Sequence, residues 1–573
     1  LLIGVWVFNQ SGIWQSLAEM LLAVVVASSV MISFCGWGRW ISQTLLWDTA
    51  WMVGLGTVGT LMLPISFFVG PRWGLLLLPI GWWRIWIDRW NWTEVRLPTW
   101  HISVVMILAI WMVWNASLPI VDTDALYYHH ALPKHMWLWN ELKGGELSPN
   151  GSRPLIWHLP LTLLYGLGGH QAVVLFASWT ALGAWTSLVQ YCEEQWTGGG
   201  WWVWAAVFGS YSLLEQSMVT ANNMVVLWWV WLAWREQHRP WIWGALLGFA
   251  VAGKFTAVGV VALIGLTARR SWSEKFSEAF IAGMLVAVWL GRNWLDGVHP
   301  LFPYLGWEIS MPFVWVEKYG MGRNWSDIWV TPWNLLVHAK VSGFPFLGQV
   351  SPVFGGFGIV LLFGILVRKQ FREGLVLLGA FVFWFVGPHW IRHLFPMIGV
   401  GLAIAIQQAR YFPQSIRWST HLLVMVLFGI GLQKNLAPWF EQQMKRSQGE
   451  QTVVGDQATQ WLNRHADGTV ALFCLWTGGL LDKPYVLSSV EDHTPVRHWS
   501  LRYGAQAIVN LKQQGVRYVA VGPHAFYQSG YPFLTEAEIE TDLRAPIAHL
   551  ESQLWQHGRW ITRLDGVDIY LLD

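Results

Sequence analysis

Apolar residues along this chain come in long, nearly uninterrupted runs, at 16–37, 49–70, 73–88, 101–120, 158–191, 199–214, 217–234, 240–268, 277–291, 351–367, 373–388, 391–408 and 418–433. At a rise of about 1.5 Å per residue, most of these runs are long enough to cross a hydrocarbon core of about 30 Å as a helix. About 11–14 transmembrane helices are predicted. After Pro438 the pattern changes: residues 456–464 are amphipathic, and short apolar runs at 470–475 and 516–521 read as strands. The predicted division is a membrane domain at 1–439 and a small soluble α/β domain at 440–573.

The run at 240–268 fits neither one crossing nor two. It reaches about 43 Å as a continuous helix, too long for one ordinary span and too short for a full pair. Two short helices with a turn near Ala252–Thr256 resolve this, and they place Lys254 at the turn. Non-helical backbone at that depth is tolerated only where protein or a watery cavity covers it.

Lys and Arg gather in short loops around Arg84, Arg89 and Arg96, Arg235 and Arg239, Arg269 to Lys275, Arg368 to Arg372, and Arg410 and Arg417. Basic short loops stay on the cytoplasmic side, so the loops near 121–157 and 292–350 and the C-terminal domain are expected to face outward.

Composition sharpens this picture. The chain is 54% apolar and only 12% charged, and its net charge of +2 leaves no surplus of cations for a nucleic-acid backbone. Cys35, Cys192 and Cys474 are far apart, which excludes a CxxC zinc site or a disulfide framework. The 47 tryptophans fit interfacial belts and packing, with a minority open to contact sugar or lipid.

The loop after the fourth run reads Val121-Asp122-Thr123-Asp124-Ala125-Leu126-Tyr127-Tyr128-His129-His130-Ala131-Leu132-Pro133-Lys134. Two carboxylates at the mouth of a span have three uses. One acts as a general base toward an incoming hydroxyl, the pair holds a divalent metal ion, or they cap the helix that begins near Ala125. His129 and His130 either join such a metal site or hydrogen-bond at the interface. Arg153 either binds a phosphate or anchors the loop among headgroups.

The run at 124–134 resembles the first outward loop of bacterial polytopic glycosyltransferases of the GT-C superfamily, in the mannosyltransferase and aminoarabinose-transferase-like group. Three more segments agree in order and character: Gly253-Lys254-Phe255-Thr256, Gly291-Arg292-Asn293-Trp294 with Gly297-Val298-His299-Pro300-Leu301-Phe302-Pro303, and Arg392-His393-Leu394-Phe395-Pro396. The tail segment 511–518 is similar to a strand-entry segment of the group's small outward domain. The resemblance implies an α-helical polytopic membrane protein with a GT-C fold in the inner membrane, its C-terminal domain periplasmic. It implies transfer of a sugar from a polyprenyl-phosphate donor to a glycan, lipid or protein acceptor.

In that group an acidic residue of the first outward loop is the base or sits beside a metal, and Asp124 matches best, with Asp122 second. Lys254, Arg292, Arg392 and Arg153 are the candidate cations for the donor phosphate. Tyr128, His129 and His130 are candidate acceptor or accessory residues. Two departures stand out: Thr220-Ala221-Asn222-Asn223-Met224 carries amides where an acidic residue is expected, and His158 stands where Glu or Gln is expected. With the tryptophan excess, these departures leave a second expectation open, a catalytically inactive GT-C-like subunit that packs on protein partners in a larger complex. Transport is set aside, because the chain shows one broken segment and no internal repeat.

Overall fold

The computed structural model describes residues 13–88, 97–122, 124–142, 153–295, 299–301, 329, 352–368, 371–386, 393–449, 453–475, 477–488, 506–523 and 545–572. The chain divides into two compact units. One holds Leu1–Pro119, Pro154–Trp289 and Tyr319–Gln448; the other holds Ile120–Arg153, Leu290–Lys318 and Gly449–Asp573.

The first unit is a bundle of apolar helices, and the chain is a multi-pass membrane protein. Among the described residues, Ser16–Ile41, Trp47–Phe68, Thr99–Ala116, His158–Gln195 and Gln414–Ser447 are long and apolar enough to span a membrane. Shorter apolar helices include Pro240–Gly253, Phe255–Thr267 and Phe395–Ala409. The helix His158–Gln195 is the axis of the bundle and is buried along most of its length. It bends at Gly168 and Gly169, where Gly169 takes φ 67°, open mainly to glycine.

Helix Ile13–Ile41 packs against Trp47–Phe68, Leu77–Asp88 and His158–Gln195. Small residues set those approaches. A Cβ on Gly36 would lie 1.9 Å from the carbonyl oxygen of Gly81, one on Gly38 1.9 Å from that of Ala50, and one on Gly54 1.7 Å from that of Phe34. Close backbone contact of this kind is how helices associate where water supplies no driving force.

The tryptophans of this unit fill volume and satisfy backbone. Trp157, Trp185, Trp204, Trp229 and Trp231 are fully buried. Their indole N–H groups donate to Thr220 O, Ser217 Oγ, His101 Nδ1, Met52 O and Ser187 Oγ respectively. Trp82, Trp83, Trp86, Trp241, Trp272 and Trp418 are exposed on the helix surfaces. Two cations that the charge pattern assigns to loops are instead paired on helices: buried Arg84 bridges Asp88, and half-buried Arg235 bridges Asp48 and Glu236.

The second unit contains a five-stranded sheet built from β1 (Thr469–Phe473), β2 (Tyr485–Ser488), β3 (Val516–Val521), β4 (Arg559–Leu564) and β5 (Val567–Leu571), in the order β2-β1-β3-β5-β4. Strand β1 runs parallel to β2 and β3, while β5 runs antiparallel to β3 and β4. The apolar runs of β1, β3 and β5 are buried as central strands should be, and β4 is an exposed edge. Helices Asp456–His465, Gln506–Gln513 and Ala545–His557 complete the α/β domain. The three cysteines are free and buried.

Candidate active site

The acidic loop lies in the second unit. Asp122 Oδ1 accepts the backbone N–H of Ala125 at 2.7 Å, and the Asp122 carbonyl accepts that of Leu126 at 3.0 Å. Asp122 therefore caps the short wide-turn helix Ala125–His129, as a side-chain oxygen does for an otherwise unsatisfied helix-start amide. Asp124 follows inside the turn, half-buried.

Tyr128, His129 and His130 are all buried in the same turn. The Arg153 guanidinium lies 5.5 Å from the centre of the Tyr128 ring, in cation–π range. This brings Arg153 into the neighbourhood of the acidic helix. Arg292 and Asn293 are buried on helix Trp272–Leu295, and Asn293 Nδ2 donates to Pro300 O at 3.1 Å. Asp122, Asp124, Tyr128, His129, His130, Arg153 and Arg292 thus all belong to one unit.

Lys254 belongs to the membrane unit and sits at the expected break. Helix Pro240–Gly253 ends there, Lys254 is extended at φ −160° and ψ 114°, and a single turn at Phe255–Ala257 leads into Val258–Thr267. The two amides that depart from the family pattern hold this break. Asn222 Nδ2 donates to the Gly253 carbonyl at 2.6 Å, Lys254 Nζ donates to Asn223 Oδ1 at 2.5 Å, and Asn223 Nδ2 donates to Gln216 Oε1 at 2.5 Å. An amide orients the ammonium without cancelling its charge. His158 opens the central helix and is buried. Arg392 lies outside the described residues.

One side chain of this region was not singled out by its sequence context. Lys134 is buried, with Nζ 3.2 Å from the Gly479 carbonyl and 2.7 Å from Asp482 Oδ1. Burial pushes its ammonium below the ordinary lysine range, against the opposing pull of Asp482. A lysine among the apolar residues of Ala131–Trp139 was the available signal; its partner, some 345 residues away, was not.

Among the described residues no group of three or more His, Cys, Asp or Glu side chains gathers to hold a metal. Asp122 and Asp124 are the two carboxylates that could contribute to a metal site, with waters and a substrate phosphate completing the six oxygen ligands a hard divalent cation takes.

No family model matches the chain, and no curated protein matches it. Among solved structures it is similar to ArnT from Cupriavidus metallidurans bound to undecaprenyl phosphate, with a TM-score of 0.50 and 11% identity over 83% of this chain and 98% of that one. The apo form of the same ArnT gives a TM-score of 0.48 and 13% identity over 82% and 98%. At this identity the likeness to the lipid-bound form establishes the fold alone: the chain has an ArnT-like fold, mostly helical, with a small C-terminal sheet domain.

Proposed function

We propose that this chain is a membrane glycosyltransferase that moves a sugar from a polyprenyl-phosphate donor to an acceptor hydroxyl. The GT-C fold supports this reading, and so does the ligand of the ArnT structure it matches, undecaprenyl phosphate. The reaction belongs at the outer face of the bacterial inner membrane, with the sheet domain in the periplasm.

The observation that carries the residue assignment is the bond from Ala125 N–H to Asp122. It gives Asp122 a capping role, which supports the reading of Asp124, the better match to the resemblance, as the base and of Asp122 as its positioning cap. The acceptor oxygen attacks the anomeric carbon and the bond from that carbon to the phosphate oxygen breaks. Asp124 takes the hydroxyl proton, polyprenyl phosphate departs, and the sugar is inverted. Lys254, Arg292, Arg153 and Arg392 are the cations for the negative charge that grows on the leaving phosphate. Tyr128, His129 and His130 form the buried wall behind the acidic turn.

Native mass spectrometry of the detergent-purified chain, with undecaprenyl phosphate as the added probe, tests the donor site. Wild type should retain the lipid, and Lys254→Met and Arg292→Met should lose it. Transfer assays test the base: Asp124→Asn should cut turnover by about 10²–10⁴-fold with the protein still folded. Full activity in that variant sinks the base assignment. Absence of lipid binding together with stoichiometric retention of other subunits favours the inactive-subunit reading.

A further inference from the structure

Within the second unit, the segment that carries the carboxylates rests on one turn of the sheet domain. Gly478–Leu480 follows β1, and its position is fixed from below by Asn463 of helix Asp456–His465. Asn463 Nδ2 donates to the Leu480 carbonyl at 3.0 Å, while its Oδ1 accepts the Asp482 N–H at 2.7 Å. The Thr459 and Thr477 hydroxyls add a buried bond of 2.9 Å beside it.

On this turn two contacts register the acidic segment. The first is an approach of backbone to backbone: a Cβ on Gly479 would fall 3.0 Å from the Leu126 carbonyl oxygen and 3.2 Å from the Leu126 Cα. The atoms met are backbone and not a flexible side-chain end, so any larger residue here would push the Leu126 backbone away by a few tenths of an ångström. The second is Lys134, whose buried Nζ bonds the Gly479 carbonyl and the Asp482 carboxylate. Beside it the His135 ring meets the buried Tyr485 ring of β2 edge-on, with centroids 5.8 Å apart.

Leu126 lies two residues after Asp124, and Lys134 lies one helix further on, at the Ala131–Trp139 helix. The two contacts therefore pin both ends of the turn that bears the carboxylate. Two points leave rotation about the line between them, and the His135–Tyr485 ring contact is the third that limits it.

We propose that the C-terminal sheet domain is the positioning element for Asp124, with Gly479 and Lys134 as the positioning residues. The domain serves as the template against which the acidic turn is shaped, and neither residue touches the reacting atoms. The inference rests on the reading of Asp124 as base.

The test uses the full-length chain in detergent, as Gly479→Ala, Lys134→Met and Asp482→Asn. Asp482 is exposed, so its substitution keeps the test informative if either buried change impairs folding. Hydrogen exchange across residues 124–139 is read first, because it needs no activity. Exchange there should rise by about tenfold in Gly479→Ala and Lys134→Met, more weakly in Asp482→Asn, with the membrane helices unchanged. Turnover should then fall by about 10–100-fold while the KM for a polyprenyl-phosphate donor moves little, since the base is displaced and the donor site is not.

Unchanged exchange in all three variants overturns the clamp, whatever the activity. Raised exchange with unchanged turnover, in a chain that Asp124→Asn does inactivate, overturns the positioning role. If Asp124→Asn itself stays active, the base assignment has failed, and the exchange result still decides whether the clamp exists.

Discussion

Two polar clusters of the membrane unit are built on opposite plans. Around Asp48, everything is closed. Arg235 bonds both Asp48 oxygens at 2.5 and 2.8 Å, Thr49 Oγ1 at 2.6 Å and Glu236 Oε1 at 2.9 Å. Asp48 also accepts from the Ser187 hydroxyl and the Thr49 backbone N–H. The guanidinium fork and the carboxylate are both committed, in the bidentate geometry that makes such pairs strong. Around Lys254 the partners are amides, Asn223 backed by Gln216, at a break in a helix. Such a set aims the ammonium through neutral side chains. The difference is between a cation held by carboxylates in a bidentate pair and a cation held by amides at a helix break, and only the second matches the donor-phosphate role proposed for Lys254.

The largest effect should come from opening the closed cluster. Arg235→Met strands two buried carboxylates and should destabilise the chain by about 3–5 kcal/mol, seen as a lowered melting temperature in detergent. Asn223→Asp sharpens the contrast from the other side by giving Lys254 a carboxylate. Undecaprenyl phosphate should bind about tenfold or more weakly, at an unchanged or higher melting temperature. Unchanged binding would mean that Lys254 does not meet the lipid phosphate.

Smaller effects belong to the second unit. Asp122→Ala removes a helix cap worth about 1 kcal/mol, and Asp122→Asn, which still caps, should restore both melting temperature and turnover. A base at this position would lose activity in both variants. Lys134 supplies the weakest signal, in pH. Burial lowers its folded-state value, so between that value and the ordinary one the unfolded chain binds the extra proton. Stability at this site therefore rises with pH across that window. The melting temperature of wild type should gain on that of Lys134→Met as the buffer is moved from about pH 8 toward about pH 10.

What the sequence made legible was whatever depends on near neighbours. Hydrophobic runs located the helices, the strands at 470–475 and 516–521 appear as β1 and β3, and the length of 240–268 located the break at Lys254. The hairpin of β4 and β5 was missed although Asp565-Gly566 marks it: both residues take positive φ, at 51° and 75°, as a tight two-residue turn demands. Asp48 with Arg235, and Lys134 with Asp482, could not be paired from one sequence. Their partners are 187 and 348 positions apart, and only the packing of helices or domains decides that they meet. Arg235 was read as a loop cation for the same reason, since its buried partner Asp48 is distant in sequence, whereas Arg84 pairs with Asp88 one turn along its own helix. The preference for Asp124 over Asp122 came from the resemblance, while the capping bond to Asp122 required the backbone geometry.

The glycine contacts near the start of the chain bear on how the molecule is made. Gly36, Gly38, Gly54 and Gly81 join three helices that are consecutive in the chain, Ile13–Ile41, Trp47–Phe68 and Leu77–Asp88. Their mutual fit uses nothing encoded after residue 88. A growing chain emerges N-terminus first, so this trio can lock together while Asn223, Lys254 and the sheet domain are still untranslated. The helices made later then meet a finished wall, and a bulky residue at Gly38 or Gly54 would do its damage on the ribosome, before the acidic turn has been made.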